Sequence, residues 1–421
     1  MGTIAECAKV ALIGGGVYVA RLCELLAATS PLPNLHLSLV ARRANRLRVI
    51  AEHAKRRVRL HRTDWQLTAH VDIESAVAGA SLVVLLIRVG GLRARLYDET
   101  FPERFGLVGD EGLGAGGMAN AWRTLPVLTA IADTLRRVAP KAPVVNLVAP
   151  LGITTRLLLD EGLRAFGICE LPHTTQQRLL SARGDHRGAR LHYVGLNHLG
   201  WFWGANAAGE VALHEAVRFG LVEQRVLREF GAAPLHYYYR IYDPPAALRL
   251  GVNAPRGRAR WLISLDHHIY RRIRCEPGGD VPEYGERPTP WFEHAIIPVM
   301  TALLSGGTHV GFADFVVEPQ MTWAPRGVVV EVPAAIASGT AVADSLPHPP
   351  PRVVDFLSRV AEAEDLTYRA AINRDRRRMK AAARLLARRL EPPLLDELTN
   401  AICGGVSPYV AEPLPSDNIA L

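Results

Sequence analysis

A short apolar strand that runs directly into three glycines is the feature that most limits how this chain can fold. Residues 10–13 read Val-Ala-Leu-Ile, and Gly14, Gly15 and Gly16 follow at once. Buried parallel strands have this composition, and close glycines let the backbone approach a pyrophosphate at the start of a helix. The standard glycine pattern is incomplete, because Val19 takes its third position. We expect a Rossmann-type dinucleotide-binding unit here, with a tight turn alone as the alternative.

Strands alternate with helices over the first third of the chain. Two apolar strand candidates, residues 35–40 and 81–87, are separated by a segment at 43–58 that reads as a helix. Such alternation is typical of a doubly wound parallel sheet, with ligand-binding loops along one edge. We therefore predict an α/β fold. A Rossmann dinucleotide-binding domain covers residues 1–165, and a mixed α/β (α+β) domain for substrate binding, catalysis and oligomerisation covers 166–421.

The charge of the chain is basic but does not by itself indicate a nucleic-acid partner. Its 421 residues carry a net charge of +8, nearly all of the positive charge being arginine. The densest basic run, residues 374–389, has apolar residues at near-helical spacing, which a surface helix explains. No apolar run reaches the roughly 18 residues of a membrane span. We expect a small-molecule substrate, no nucleic-acid partner and no membrane association.

Cysteine usage indicates a reducing environment. The five cysteines are odd in number and far apart in a long chain, which is not a disulfide framework. The N-terminus has no basic segment followed by a long apolar stretch, so the sequence does not read as a signal peptide. We expect a cytoplasmic protein whose thiols stay free, including any that bind a metal.

The end of the second strand lacks the acidic residue that usually binds the ribose of NAD. The sequence there is Ala41-Arg42-Arg43. A carboxylate at this point hydrogen-bonds the ribose 2′-hydroxyl, whereas guanidinium groups suit a 2′-phosphate. Arg42 and Arg43 therefore fit NADP or a relaxed cofactor preference, and two solvent-facing arginines are the alternative.

Three further groups of residues could carry chemistry. Between positions 88 and 123, charged residues among glycines suggest a ligand-lining loop, although an ordinary surface loop is the alternative. Cys169 and His198 could share a borderline divalent ion, although a buried cysteine and a structural histidine are commoner. Residues 237–242 read Tyr-Tyr-Tyr-Arg-Ile-Tyr, and a tyrosine beside a cation can act as a base, although core packing is commoner.

In their order along the chain, these motifs resemble glycoside hydrolase family 4, the NAD- and divalent-metal-dependent glycosidases. The Gly-Leu-Asn-His-Leu string that contains His198 and the spaced cysteine are the most specific matches. The resemblance is carried by residues 10–16, 88–99, 109–117, 145–155, 167–172, 195–199 and 325–333.

The resemblance implies a redox-elimination mechanism. Bound NAD, or NADP, would oxidise the sugar C3 hydroxyl, and Mn²⁺ or another divalent metal held by Cys169 and His198 would polarise the resulting ketone. A tyrosine would remove the C2 proton, the aglycone would leave from C1, water would add and the hydride would return. Glu170 would act as the acid at the leaving group. The implied substrate contacts are Arg88, Arg95, Glu111 and Asn197.

The identity of the base depends on how the tyrosine-rich segment is aligned. Alignment on Tyr238-x-Arg240-x-Tyr242 keeps the family's arginine, whereas alignment from Pro234 points to Tyr237. We predict Tyr238 as the base, with Tyr237 as the alternative.

Several positions depart from the family pattern. Ala149 replaces an Asn, Val17 a Ser and Asp110 a Gln, and residues 286–292 replace an Arg-Gly-Gly-Ala-x-Tyr-Ser segment. We predict hydrolysis of a 6-phospho-β-glucoside-like or other anionic glycoside by a homodimer or homotetramer. An NAD(P)-dependent sugar or hydroxy-acid dehydrogenase and a degenerate, non-catalytic homologue are the alternatives.

Overall fold

The computed structural model of the chain describes residues 7–181, 188–244, 247, 258–316, 321–343 and 346–404. The strands are β1 (Ala8–Gly14), β2 (Leu35–Val40), β3 (Gln66–His70), β4 (Leu82–Leu86), β5 (Val144–Asn146), β6 (Ala165–Gly167), β7 (Leu191–Val194), β8 (Trp201–Gly204), β9 (Ala233–Pro234), β10 (Thr308–Val316), β11 (Val329–Ala337) and β12 (Thr340–Ala343). The helices are α1 (Tyr18–Thr29), α2 (Ala44–Arg59), α3 (Ile73–Val77), α4 (Gly91–Thr100), α5 (Gly114–Val138), α6 (Leu151–Asp160), α7 (Leu171–Leu180), α8 (Ala207–Arg218), α9 (Gln224–Phe230), α10 (Tyr239–Tyr242), α11 (Arg258–Cys275), α12 (Ile297–Ser305), α13 (Pro351–Asn373), α14 (Arg376–Leu386) and α15 (Pro392–Gly404).

Six parallel strands form most of the main sheet. Within the described residues this sheet has nine strands, in the order β12-β11-β10-β6-β5-β4-β1-β2-β3. β1 pairs in parallel with β2 and β4, and the remaining parallel pairs are β2–β3, β4–β5 and β5–β6. The order 3-2-1-4-5-6 is that of a dinucleotide-binding fold. The Rossmann-type prediction is confirmed.

The parallel strands are buried on both faces, as their continuous apolar runs predict. Val10 and Leu12 of β1 pack into one hydrophobic cluster with α1 and α2, whereas Ala11 and Ile13 pack into another with α5. Successive side chains of β1 thus point to opposite faces of the sheet, and helices cover both faces. This packing holds the carboxyl end of β1 in the middle of the sheet edge, where the glycine loop begins.

The second half of the chain extends the same sheet. β10 pairs antiparallel with β6 and with β11, so that Asp314 lies beside Gly167 on one side and Glu331 on the other. Both carboxylates are fully buried. The boundary proposed at residue 165 falls at the first residue of β6, and it stays a prediction.

A second, antiparallel sheet has the order β7-β8-β9. The turn between β7 and β8 is joined to the main sheet, since Gly195 exchanges backbone hydrogen bonds of 3.0 and 2.8 Å with Glu331. This link brings the Gly-Leu-Asn-His-Leu segment to the edge of β11. In the part of the chain described above, none of the helices is both long and apolar enough to cross a membrane.

Candidate active site

The glycine loop has a backbone that only glycine adopts without strain. Gly14, Gly15 and Gly16 have φ angles of 97°, 92° and 56°, in the left-handed region. A Cβ on Gly14 would lie 2.9 Å from the backbone nitrogen of Ile87, and one on Gly15 would lie 2.9 Å from Cβ of Val19. The loop is therefore held tightly between β4 and α1, as close approach of backbone to a pyrophosphate requires.

A cavity of about 180 Å³ opens beside this loop at the ends of β1 and β2. In a Rossmann fold, this edge binds the dinucleotide. Arg42 and Arg43 are exposed and both line the cavity, so the structure places them together with the glycines. The complete lining is Gly14, Gly16, Val19, Leu39, Ala41, Arg42, Arg43, Arg46, Leu47 and Ile50.

The residues predicted to bind substrate after β4 form one ion-pair cluster. Arg88 donates to Glu111 from Nε at 2.7 Å and from Nη2 at 2.8 Å, and Arg95 reaches the same carboxylate at 2.8 Å. Arg95 also donates to Glu99 at 2.6 Å. Burial would raise the pKa of Glu111, but the two arginines lower it to about 2. Both arginines are thus already balanced by carboxylates.

A third arginine lies beside this cluster without a carboxylate partner among the described residues. The guanidinium of Arg287 lies 5.0 Å from the Tyr18 ring and 4.7 Å from the Trp291 ring, and its buried Nε has no hydrogen-bond partner. Burial and the charges of Arg95 and Arg88 lower its pKa to about 10, so it stays a cation at neutral pH. Arg287 is not among the site residues predicted from the sequence. The sequence indicates only that residues 286–292, which include Arg287, differ from the corresponding family segment.

Cys169 and Glu170 lie between β6 and α7, at the carboxyl edge of the main sheet. The Cys169 sulfur is 3.8 Å from Oε2 of Glu170. Burial, followed by the nearby charges of Glu170 and Glu331, raises the pKa of Cys169 well above its usual value. Burial also raises the pKa of Glu170. In the free chain the thiol is therefore protonated, and Glu170 holds a proton more readily than an exposed glutamate does.

His198 occupies a left-handed position in a tight turn. Its φ is 67°, and the turn is closed by a 2.8 Å bond from the Leu199 amide to the Leu196 carbonyl. This conformation is costly for a residue other than glycine, and such strain is concentrated at functional sites. The side chain of the preceding Asn197 donates to Oε1 of Glu331 at 3.0 Å, which fixes the turn. Asn197 is thus tied to the protein interior through its amide nitrogen.

Cys169 and His198 carry donor atoms of the kinds that a borderline divalent ion binds. Nδ1 of His198 is buried without a hydrogen-bond partner, and burial lowers the pKa of the ring to about 4, so the neutral imidazole can donate a lone pair. The described residues contain no group of three or more His, Cys, Asp or Glu side chains placed to hold a metal. A two-donor protein site would therefore need oxygen atoms of substrate or water to complete its coordination.

The two candidate bases have different surroundings. The Tyr237 ring stacks on His198 at a centroid distance of 4.6 Å, and the Arg240 guanidinium lies 4.1 Å from its centroid. Burial raises the pKa of Tyr237, and the charges of Cys169 and Glu170 raise it further. Tyr238 is only 2% exposed and packs edge-on against Trp201 in the core. The geometry therefore favours Tyr237, the alternative register, over Tyr238.

Comparison with known proteins gives matches along most of the chain. The model of the family 4 glycosyl hydrolases matches residues 9–184, and the model of the family 4 C-terminal domain matches residues 193–385. A Bacillus subtilis (strain 168) protein named "Probable 6-phospho-beta-glucosidase" is 31% identical over 198 residues, which are 45% of this chain and 45% of that protein. An alpha-galacturonidase of Lachnoclostridium phytofermentans is 32% identical over 151 residues, which are 33% of this chain and 32% of that protein.

The chain thus spans less than half the length of these two curated relatives. Among solved structures, the Thermotoga maritima 6-phospho-beta glucosidase with manganese, NAD⁺ and glucose-6-phosphate has a TM-score of 0.80 at 20% identity, covering 96% of this chain and 99% of that one. This likeness shows that the whole described fold is shared. With both family models matched in order along 9–184 and 193–385, the chain belongs to family 4 of the glycosyl hydrolases.

Proposed function

We propose that this chain is a glycosidase that needs a bound nicotinamide dinucleotide and a divalent metal ion. The observation that carries the proposal is the contact between Tyr237 and His198, with Cys169 and Glu170 close by. This neighbourhood supports a site in which Tyr237 is the base, Glu170 the acid, and Cys169 and His198 the metal donors. The glycine loop is at the same edge of the sheet, as the redox-elimination mechanism of the family requires.

The substrate is a glycoside with a negative charge on its sugar. Two relatives are named for such sugars, one for a 6-phosphoglucoside and one for a galacturonide, and the related T. maritima structure holds glucose-6-phosphate. The Arg287 guanidinium would receive this charge, because its Nε is buried and it lacks a carboxylate partner among the described residues. Arg88 and Arg95 instead hold Glu111 in its ionised form, ready to accept a sugar hydroxyl.

When bound, the dinucleotide and the divalent ion would supply a temporary hydride acceptor and a Lewis acid. Cys169 and His198 would hold the ion. Tyr237 is positioned to take a proton from the sugar, and its ring is fixed between His198 and Arg240. Glu170 would act as the acid at the leaving group, a role that suits a carboxyl whose pKa is raised by burial. Cys169 must stay a free thiol, which suits a reducing compartment such as the cytoplasm.

A substrate panel tests this function. Nitrophenyl glucosides, their 6-phosphates and nitrophenyl galacturonides are incubated with the full chain, Mn²⁺, a thiol reductant, and NAD⁺ or NADP⁺. We expect release of nitrophenol from an anionic glycoside only when dinucleotide and metal are both present. Release that continues undiminished without dinucleotide would contradict the proposal. Stoichiometric accumulation of reduced cofactor would instead indicate the dehydrogenase that the sequence leaves as an alternative.

A further inference from the structure

The cavity beside the glycine loop carries more positive charge than an NAD site requires. We infer that it binds a ribose 2′-phosphate, and that this chain prefers NADP⁺ to NAD⁺. The inference rests on the proposed function, since it takes the dinucleotide to bind at the loop of Gly14 to Gly16.

The position of the cavity identifies the part of the ligand that it would receive. Ile13, next to the glycine loop, pairs with Val40, so the end of β2 lies directly beside the loop. Ala41 follows at the point where the first ribose of a bound dinucleotide is recognised. An NAD site has a carboxylate there for the 2′-hydroxyl. The lining of this cavity contains neither Asp nor Glu.

Three arginines take the place of that carboxylate. Arg42 and Arg43 line the cavity, are exposed, and have no ion-pair partner among the residues that the structure describes. Arg46, in the first turn of α2, also lines the cavity and is held by two residues that do not line it. Its guanidinium donates to Asp266 at 2.6 Å and lies 4.3 Å from the centroid of the Tyr270 ring. Arg42 and Arg43, which have no ion pair within the described residues, and Arg46, which is paired with Asp266, therefore line the same cavity.

Asp266 of α11 is the carboxylate that could oppose this arrangement. Its Oδ1 would lie 3.9 Å from a Cβ placed on Gly16, so it is near the loop. Its Oδ2, however, accepts the bond from Arg46, which balances its charge and leaves Arg42 and Arg43 uncompensated. A phosphate monoester carries a charge of about −1.5 to −2 at neutral pH and matches two guanidinium groups well. A 2′-hydroxyl offers these arginines no charge.

Equilibrium binding to the full chain, measured by isothermal titration calorimetry without substrate, tests the inference. The probes are NAD⁺, NADP⁺, 5′-AMP and adenosine 2′,5′-bisphosphate. We expect NADP⁺ to bind at least about tenfold more tightly than NAD⁺, and the bisphosphate to exceed 5′-AMP by a similar factor. The double variant Arg42→Ala, Arg43→Ala should lose about tenfold or more of its affinity for NADP⁺ while its affinity for NAD⁺ changes less than about threefold.

Arg48→Ala is the matched control, because this exposed arginine lies just beyond Arg42 and Arg43 in the first turns of α2 but does not line the cavity. It should leave both affinities nearly unchanged. NAD⁺ binding as tightly as NADP⁺, or a double variant that weakens both dinucleotides equally, would overturn the inference while leaving the proposed glycosidase intact. Failure of both dinucleotides to bind would instead contradict the proposed function itself.

Discussion

The Tyr237 ring stacks on the His198 imidazole, with centroids 4.6 Å apart and an angle of 26° between the planes. His198 is itself held in a left-handed turn. The phenol of Tyr237 is thus fixed against a residue whose ring nitrogen is free to bind a metal ion. This pairing links the predicted metal site to Tyr237, the alternative base.

Replacement of Tyr237 by Phe should abolish most of the activity. The change removes the proton acceptor but keeps the ring on His198, so we expect kcat to fall by about 10²- to 10⁴-fold. Tyr238→Phe is the matched control, because that ring is buried against Trp201 and keeps its packing. Measurement of kcat on the anionic substrate compares the two. If kcat instead falls strongly in Tyr238→Phe and stays nearly normal in Tyr237→Phe, the base is Tyr238, as the first alignment predicts.

Replacement of Glu331 by Gln should weaken metal binding from a distance. Glu331 accepts hydrogen bonds from Asn197, at 3.0 Å, and from the hydroxyl of Tyr193. A glutamine keeps only one of the two accepting oxygens, so one of these bonds is lost or reversed and the turn that presents His198 loosens. We expect Mn²⁺ affinity, measured by electron paramagnetic resonance, to fall about 10- to 100-fold. Folding stability should fall by about 1–3 kcal/mol in urea titrations.

Two reference variants complete the Glu331 experiment. Cys169→Ala removes a donor and should weaken Mn²⁺ at least as much, whereas Cys275→Ala removes an exposed thiol and should change nothing. If Glu331→Gln is destabilised but binds Mn²⁺ with unchanged affinity, its role is structural only.

Replacement of Arg287 by Ala should change selectivity more than rate. The guanidinium would contact only the charged group of the substrate, so KM for an anionic glycoside should rise about tenfold or more, while any slow turnover of the neutral glycoside stays unchanged. The measurement is a pair of KM and kcat values on the two substrates. Equal losses of kcat/KM on the two substrates would show that Arg287 supports the structure of the site and does not bind the charged group of the substrate.

His53 should make folding stability depend on pH. It is 1% exposed, and its Nδ1 accepts a 3.0 Å bond from the Gly278 amide. Burial lowers its pKa to about 4 from the usual 6.5. Because the folded pKa is depressed, this stabilisation is complete above pH 6.5 and is lost as pH falls towards 4.

The comparison that isolates this effect is with His53→Gln, whose amide oxygen can accept the same bond without titrating. The difference in unfolding free energy between the natural chain and this variant should shift by about 2 kcal/mol between pH 7 and pH 5, to the disadvantage of the natural chain. Urea titrations at both pH values measure it. A difference that does not change with pH would mean that His53 takes up its proton equally well in the folded state.

Local features were predictable from the sequence, and long-range placement was not. The three glycines specify their own left-handed backbone, so the loop could be located without a fold. The sequence does not predict β3, because its residues are all exposed or half-buried and form no apolar run. Tyr237 and Tyr238 are neighbours in a short 3-10 turn, and only the packing of Trp201 and His198 separates their roles.

The position of Arg287 at the site could likewise not be predicted from the sequence. It comes from a segment far from the glycine loop and from Cys169, and its sequence neighbours do not indicate a ligand. Its importance is visible only where the sheet edge brings Tyr18, Arg88 and Glu111 near it. Cofactor preference is only partly predictable from the sequence. The missing carboxylate is evident from Ala41, whereas the ion pair between Arg46 and Asp266 is a tertiary contact that only the structure shows.

The isotope content of the released sugar tests the central claim most directly. The full chain is given an anionic nitrophenyl glycoside in D₂O with dinucleotide, Mn²⁺ and reductant, and the product is examined by NMR. Proton removal at C2 by Tyr237 predicts one solvent deuterium at C2 in every hydrolysed sugar, with no net reduced cofactor. A product that retains its C2 proton, formed at full rate, would contradict the account.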